Sequence, residues 1–171
     1  MFYRILSKLF DYPNEGLISV LPEIRARMQQ GAEFDPAERS AVAGLLDHMA
    51  AQPLIELQAD YVKTFDLVPE HALYLTHHVF GDDKNRGPAL IDLTEYYKGF
   101  GLELASNELP DYLPLILEFA DGLEPDEARL FLCQWGKVLK QLADNLAAAQ
   151  SAYAPLVRLV EQRSRLVRAA A

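Results

Sequence analysis

Residues 111–127, DYLPLILEFADGLEPDE, decide the fold class. Between residues 113 and 119, apolar side chains fall nearly all the way round a helix, which predicts a central, buried helix. We predict that this helix begins at Asp111, since Pro114 then falls at its third position, where a missing N–H costs little. Gly122 suits the C-terminal cap, and the proline and acids that follow it suit the first turn of another helix.

The rest of the chain also repeats apolar residues with a helical period, and strand-like alternation is hard to find. Asp35, followed by Pro36 and Glu38, predicts a capping box at a helix N-terminus. Pro22 predicts a kink or a restart within a helix. We therefore predict an all-α fold of about eight helices in a single domain over residues 1–171. The further helices are predicted over residues 2–11, 15–30, 35–49, 53–66, 69–80 and 87–99, along a long segment after Pro125 with its apolar stripe at 131–146, and from residue 152 to the basic end.

Composition places the chain among globular proteins. The 171 residues are 50% hydrophobic and 24% charged, which suits one domain with a sizeable core. No segment is long and apolar enough to span a membrane, and the first residues, MFYRILSKLFDYP, are typical of an amphipathic helix and not of a secretory signal. The single cysteine, Cys133, excludes an intrachain disulfide and is interpreted as an inert core thiol. We expect a cytoplasmic protein without direct membrane insertion.

Charge is unevenly spread along the chain. The net charge is −9, but the residues from 155 onward contain four Arg and one Glu, so that the rest carries −12. An acidic body argues against nucleic-acid binding and favours a basic partner, such as an arginine-containing peptide. A second interpretation is that acidity only keeps the protein in solution. We interpret the arginines of the basic end, Arg163, Arg165 and Arg168, as a frayed and solvated terminus.

The stretch at residues 71–87, HALYLTHHVFGDDKNRG, contains three of the four histidines. A helical metal site usually presents histidines four residues apart, whereas His77 and His78 are adjacent and point about 100° apart. His71 and His78 share a face but lie about 10.5 Å apart along the helix axis. We therefore predict no metal site and expect hydrogen bonds to free carbonyls at the helix end. A helical metal-binding protein that uses His71, His78 and Asp82 remains the alternative.

Other catalytic sets are absent from the sequence. It has no glycine-rich phosphate loop and no G-x-S-x-G motif. Glu118 and Asp121 could form a carboxylate pair, but at a helix end they are more typical of a solvated face. From the sequence we therefore predict that the protein is not an enzyme and has no catalytic residue and no cofactor.

Aromatic and acidic residues concentrate where the helical pattern gives way to loops. Such a surface suits an amphipathic, basic peptide helix bound in a groove. A competing interpretation is that the tyrosines close the core with their hydroxyls in water. The residues concerned are Tyr61, Phe65, Tyr74, Tyr96 and Tyr97, with Asp60, Asp66, Asp82 and Asp83.

Four stretches carry a resemblance to a known family: LSKLFDYP at 6–13, ADYVKTFDL at 59–67, LYLTHHVFGDDKNRG at 73–87 and ELPDYLPLILEFA at 108–120. The chain resembles the delta subunit of respiratory nitrate reductase, the NarJ-type chaperones of molybdenum cofactor assembly. These belong to the wider group of maturation chaperones for twin-arginine redox enzymes, which are TorD- and DmsD-like. The chain departs from that group at two places. The motif that often reads Pro-Asp-His in the group has Tyr112 in place of the histidine, and His77 and His78 stand where aromatic or varied residues are expected.

The resemblance implies a TorD-like, all-helical, cytoplasmic chaperone without catalysis. It would bind the N-terminal segment of the apo catalytic (alpha) subunit of nitrate reductase, assist molybdenum cofactor insertion and delay membrane docking. There are two alternatives: the client is another molybdoenzyme, or the protein is a structural adaptor without a groove. We expect the protein to be a monomer or a weak homodimer. Arg86 has a second interpretation, in which it ties the 81–87 loop to an acid of the core. The peptide groove implied by the resemblance consists of Tyr61, Phe65, Asp66, Tyr74, Thr76, Asp82, Arg86, Asp111, Tyr112 and Glu118.

Overall fold

The computed structural model describes residues 1–104 and 108–165, and the regular secondary structure within them is helical. The prediction of an all-α fold is confirmed, with ten α-helices in the described part where about eight were expected. A π-helical turn, Val62–Asp66, and a 3-10 turn, Pro69–His71, supplement them. The α-helices are α1 Phe2–Phe10, α2 Glu15–Gln30, α3 Pro36–Ala50, α4 Leu54–Tyr61, α5 Leu75–Phe80, α6 Arg86–Gly99, α7 Leu113–Asp121, α8 Pro125–Cys133, α9 Gly136–Ala148 and α10 Ala154–Ser164.

Helix α7 lies at the centre of the fold, as its apolar circumference predicted. Its side chains Leu113, Ile116 and Leu117 are fully buried, and the helix packs against α1, which contributes Leu6 and Leu9 to the same core. Burying one such side chain stabilises the fold by roughly 1.5–3 kcal/mol. None of the described helices is long and apolar enough to cross a bilayer.

A backbone pairing between distant segments divides one predicted helix and delays the start of another. The Leu113 N–H donates to the Leu73 carbonyl at 2.8 Å, and the Leu75 N–H donates to the Asp111 carbonyl at 3.0 Å. Tyr74 and Tyr112 form an isolated antiparallel bridge between these bonds. The helix predicted over 69–80 therefore divides around an extended segment, and the helix predicted to begin at Asp111 begins two residues later.

Two further helices differ from their predicted bounds. The helix predicted over 53–66 ends as α4 at Tyr61 and continues as the π-helical turn. The long helix predicted after Pro125 breaks between α8 and α9, just before Gly136, and glycine weakens a helix interior by about 1 kcal/mol. Cys133, at the end of α8, is half-buried and not a core thiol. Helix α2 continues through Pro22 without a restart, whereas the capping box at Asp35 is confirmed.

The basic end is better ordered than the sequence predicted. Helix α10 extends to Ser164, and the Arg163 guanidinium donates to both carboxylate oxygens of Glu38, at 2.5 and 2.9 Å. Arg165 donates to both oxygens of Glu161, at 2.8 and 2.9 Å. The interpretation as a frayed and solvated terminus is wrong for Arg163. The Arg165 side chain is 63% exposed, in line with that interpretation, and Arg168 lies outside the described residues.

Candidate functional site

Five of the ten predicted groove residues line one cavity of about 180 Å³, which we call the tyrosine pocket. Three come from the end of α4 and the π-helical turn, and two come from the Tyr74–Tyr112 bridge. The wider π-helical turn brings the rings of Tyr61 and Phe65 to a centroid distance of 4.8 Å. The pocket is lined by Tyr12, Tyr61, Phe65, Asp66, Leu73, Tyr74 and Tyr112.

Three of the four tyrosine hydroxyls that line this pocket, those of Tyr61, Tyr74 and Tyr112, donate their protons to protein acceptors. The Tyr61 hydroxyl donates to the Phe10 carbonyl at 2.8 Å, so the Tyr112 hydroxyl, 3.0 Å from it, must donate to the Tyr61 oxygen. The Tyr74 hydroxyl donates to the Glu108 carboxylate at 2.9 Å. Tyr61 is buried and bonded to a carbonyl, which contradicts the interpretation that its hydroxyl lies in water.

Burial and neighbouring acids keep these hydroxyls neutral. Desolvation raises the pKa of Tyr61 and Tyr74 far above the ordinary value, and the negative charge of Asp66 raises it further. Burial raises the pKa of Tyr112 to about 12, and nearby carboxylates, including those of Glu108 and Asp66, act in the same direction. The charge of the pocket therefore comes from its carboxylates alone. Across residues 1–104 and 108–165, no Lys, Arg or His nitrogen lies within 4.0 Å of the Asp66 or Glu108 carboxylate.

Beneath one wall of the pocket lies a buried polar network of Asp111, Thr76 and Arg86. Asp111 is 0% exposed, and its Oδ2 accepts from the Thr76 N–H at 2.9 Å and from the Thr76 hydroxyl at 2.5 Å. Arg86 donates through Nε to Thr76 Oγ1 at 3.0 Å, and its Nη2 lies 3.8 Å from Asp111 Oδ2. The second interpretation of Arg86, a tie between the 81–87 loop and a core acid, is confirmed.

This network corrects the predicted groove. A peptide can contact only exposed side chains, whereas Thr76 is 2% exposed and Asp111 is fully buried. The bonds between Thr76 and Asp111 join the two sides of the pocket wall, because Asp111 precedes Tyr112 and Thr76 is the second residue of α5, which follows Tyr74.

The last two predicted groove residues lie away from the tyrosine pocket. Asp82 is exposed in the turn between α5 and α6, and it does not line the pocket. Glu118 is exposed on α7, beside a separate cavity of about 500 Å³. Tyr97 lines that cavity and donates its hydroxyl to the Pro110 carbonyl at 2.8 Å. The other residues of this second cavity are Leu102, Glu103, Leu104, Leu115, Phe119 and Gly122.

Sequence reasoning missed three residues of the site. Tyr12 and Leu73 line the tyrosine pocket, and Glu108 accepts the hydrogen bond of Tyr74. Tyr12 lies shortly after the end of α1, and in the sequence it is typical of an ordinary helix stop. The family resemblance could have identified them, since all three residues fall within the four stretches of sequence that carry it.

Two of the three histidines in residues 71–87 contact backbone carbonyls. His71 Nδ1 lies 3.1 Å from the Thr64 carbonyl, and His78 Nε2 donates to the Ala72 carbonyl at 2.7 Å. Both carbonyls precede α5, so the expected bonds to carbonyls at its C-terminal end are not the ones that form. In the part of the chain that the structure describes, no group of three His, Cys, Asp or Glu side chains is placed to hold a metal ion.

We expect stability to fall as the pH drops below about 6.5, the ordinary histidine value, because of His78. Burial lowers the pKa of His78, with a smaller effect from His77, while the bond to Ala72 opposes the shift. The folded state therefore binds a proton less readily than the unfolded state, and stability is lost as pH falls through the lowered pKa. Urea midpoints between pH 5 and 8 should show the loss in the wild type and a flatter profile in His78→Gln. The control His48→Gln should keep the wild-type profile, and identical profiles for all three proteins would contradict the assignment.

Four matches in sequence bear on the family, one to a family model and three to relatives. The family model for the nitrate reductase delta subunit matches residues 32–158. The nitrate reductase molybdenum cofactor assembly chaperone NarJ of Escherichia coli K12 is 32% identical over 156 residues, which cover 91% of this chain and 66% of that protein. A probable NarJ of Bacillus subtilis strain 168 is 31% identical over 92% of this chain and 85% of its own length. The nitrate reductase-like protein NarX of Mycobacterium tuberculosis H37Rv is 30% identical over 92% of this chain but only 23% of its own length.

Proposed function

Since the chain belongs to the nitrate reductase delta subunit family, we propose that it is a chaperone for the catalytic subunit of respiratory nitrate reductase. In this proposal it acts in the cytoplasm without catalysis, assists insertion of the molybdenum cofactor and delays membrane docking until insertion is complete. The relatives from E. coli and B. subtilis are named as molybdenum cofactor assembly chaperones, which supports the role. We further propose that residues 1–171 act as one helical domain, as a monomer or a weak homodimer.

The tyrosine pocket is the observation that carries the binding mode. It gathers five residues of the predicted groove, among them Asp66. The carboxylates of Asp66 and of Glu108, which accepts from Tyr74, lack a cationic partner among the described residues. We propose that the N-terminal segment of the apo catalytic subunit binds here. Unpaired carboxylates beside aromatic rings favour a basic segment, since complementary charge guides the encounter and rings supply contact area.

Apolar side chains next to the pocket favour an amphipathic segment. Leu67, directly after Asp66, is 70% exposed, and Tyr12 is 45% exposed. Large apolar side chains left exposed beside a pocket are typical of surfaces that a partner covers. A helix with basic residues on one side and apolar residues on the other would satisfy both features.

We expect a peptide of the first residues of the catalytic subunit to bind with micromolar or tighter affinity and no turnover, as measured by calorimetry. Asp66→Lys should weaken binding about tenfold at low salt and less at high salt, because screening reduces attraction between exposed charges. Asp92→Lys, which changes net charge equally on exposed α6, should bind like the wild type. An absence of heat and of chemical-shift changes at both acid and neutral pH would contradict the binding proposal.

The client is tested by competition. N-terminal peptides of related molybdoenzymes should compete more weakly than the nitrate reductase peptide for the same protein. Tighter binding of one of them would reassign the client while leaving the chaperone role in place.

A further inference from the structure

We propose that the tyrosine pocket is an aromatic cage that binds a single arginine side chain. The arginine belongs to the partner segment, a point that rests on the proposed function, whereas the cage itself is argued from the pocket alone. Size is the first argument. At about 180 Å³ the pocket is smaller than the roughly 300–1,000 Å³ of drug-sized ligand sites, so it suits the end of one long side chain.

Ring geometry is the second argument. Five of the seven lining residues are aromatic, and the ring pairs Tyr12–Tyr61 and Tyr74–Tyr112 have centroids 5.5 and 5.2 Å apart. A guanidinium is attracted to tyrosine ring faces within about 6 Å, more strongly where water is displaced. Tyr61 and Phe65 are buried, whereas Tyr12 lies half-exposed at the mouth, so an entering cation would lose water among rings.

Hydrogen-bond polarity is the third argument. The hydroxyl protons of Tyr61, Tyr74 and Tyr112 are donated to Phe10, Glu108 and Tyr61, in that order. The remaining lone pairs on these oxygens can only accept hydrogen bonds, and so can an ionised carboxylate. Three of the four tyrosine hydroxyls and the Asp66 carboxylate therefore favour a ligand rich in donors, which an apolar side chain does not supply.

Charge is the fourth argument. The Asp66 carboxylate lines the pocket, and the Glu108 carboxylate holds the Tyr74 hydroxyl. A third acid, Asp11, is offset by Lys8, whose Nζ lies 3.1 Å from its carboxylate. Burial is the main cause of the raised pKa of Tyr112, and the charges of Asp11, Glu108 and Asp66 raise it further.

The same features favour arginine over lysine. A guanidinium is planar, stacks on aromatic rings and presents five donors in a fixed fork, whereas an ammonium is compact and strongly hydrated. In a pocket with several separate acceptors and ring walls, the fork satisfies more acceptors at a smaller cost in hydration.

Small probes test the cage without any partner peptide. We expect N-acetyl-arginine methylamide to shift the ring signals of Tyr12, Tyr61 and Tyr74 saturably, with a dissociation constant on the order of millimolar. The citrulline analogue has the same shape without charge, the norleucine analogue is apolar, and the lysine analogue carries an ammonium. Each should bind at least about fivefold more weakly than arginine. Equal binding by any of them, or no saturable shift with arginine, would overturn the assignment.

Two variants locate the binding to the pocket. Asp66→Asn removes the lining charge, and Tyr12→Leu removes a half-exposed ring but keeps an apolar surface. Each should weaken arginine binding about fivefold, and the control Asp92→Asn should leave it unchanged. Unchanged binding in both pocket variants would place the arginine elsewhere and overturn the cage. A different result would contradict the proposed function and leave the cage in place: arginine binds the cage, but the catalytic-subunit peptide does not bind the protein.

Discussion

Replacing Asp111 with alanine should lower the free energy of unfolding by about 3–5 kcal/mol, the largest effect we expect from a single substitution. Asp111 is fully buried, and the guanidinium of Arg86 lies 3.8 Å from its Oδ2. Its removal leaves the Thr76 N–H and hydroxyl without their acceptor and Arg86 without its counter-charge. Losing a buried acceptor costs more than its bonds contribute, because the buried Thr76 donors stay desolvated, whereas Arg86, whose side chain is 25% exposed, stays desolvated only in part.

The effect should be concentrated at the start of α5. The residue before this helix, Tyr74, provides no side-chain cap, and Asp111 replaces that cap from a distant segment by accepting from Thr76 N–H. A carboxylate at this end also suits the positive end of the helix dipole. Because Tyr74 precedes the capped turn and Tyr112 follows Asp111, loss of the cap should also displace the walls of the tyrosine pocket.

A graded series measured by urea denaturation checks this expectation. Asp111→Asn keeps one acceptor and loses the charge, so it should lie between the wild type and Asp111→Ala. Thr76→Val removes only the hydroxyl and should cost about 1–2 kcal/mol. Asp92→Ala on exposed α6 should stay within about 0.5 kcal/mol of the wild type. A loss below about 1 kcal/mol for Asp111→Ala would show that the network carries no charge-dependent stability.

The parts of the fold that the sequence predicted depend on local information. The period of apolar residues indicated each segment as helical, and the capping box at Asp35 and the burial of α7 needed only neighbouring residues. The division of the helix predicted over 69–80 depends on pairing with residues 111–113, about forty positions away. No local propensity predicts that pairing, since the same residues carry a helical pattern when read alone.

The candidate site divides in the same way. Tyr61, Phe65 and Asp66 are close in sequence and remain together in the pocket, whereas Asp82 and Glu118 carry suitable chemistry but lie elsewhere. The residue types indicated which side chains are polar, but not which of them are buried. Sequence reasoning therefore treated a fully buried acid, Asp111, as a surface contact, and treated the basic end as solvated although Arg163 reaches Glu38 across the fold.

Arg163→Ala should lower the free energy of unfolding by about 3 kcal/mol, the second-largest effect we expect. The guanidinium donates twice to Glu38, donates to the Glu33 carbonyl at 3.2 Å and lies 3.6 Å from the centroid of the Phe2 ring. Glu38 is buried and also accepts from the Asp35 N–H in the capping box of α3. Without Arg163 this carboxylate stays desolvated and keeps only the capping bond.

Arg165 provides the matched control for this expectation. It makes a similar fork to Glu161 four residues earlier, but its side chain is 63% exposed, so Arg165→Ala should cost at most about 1 kcal/mol. A double-mutant cycle then separates the ion pair from the cap. Glu38→Ala loses both, and the double variant with Arg163→Ala should be less destabilised than the sum of the singles by about 1–3 kcal/mol. Additivity within about 0.5 kcal/mol would show that Arg163 stabilises the fold through Phe2 and Glu33, and not through the carboxylate.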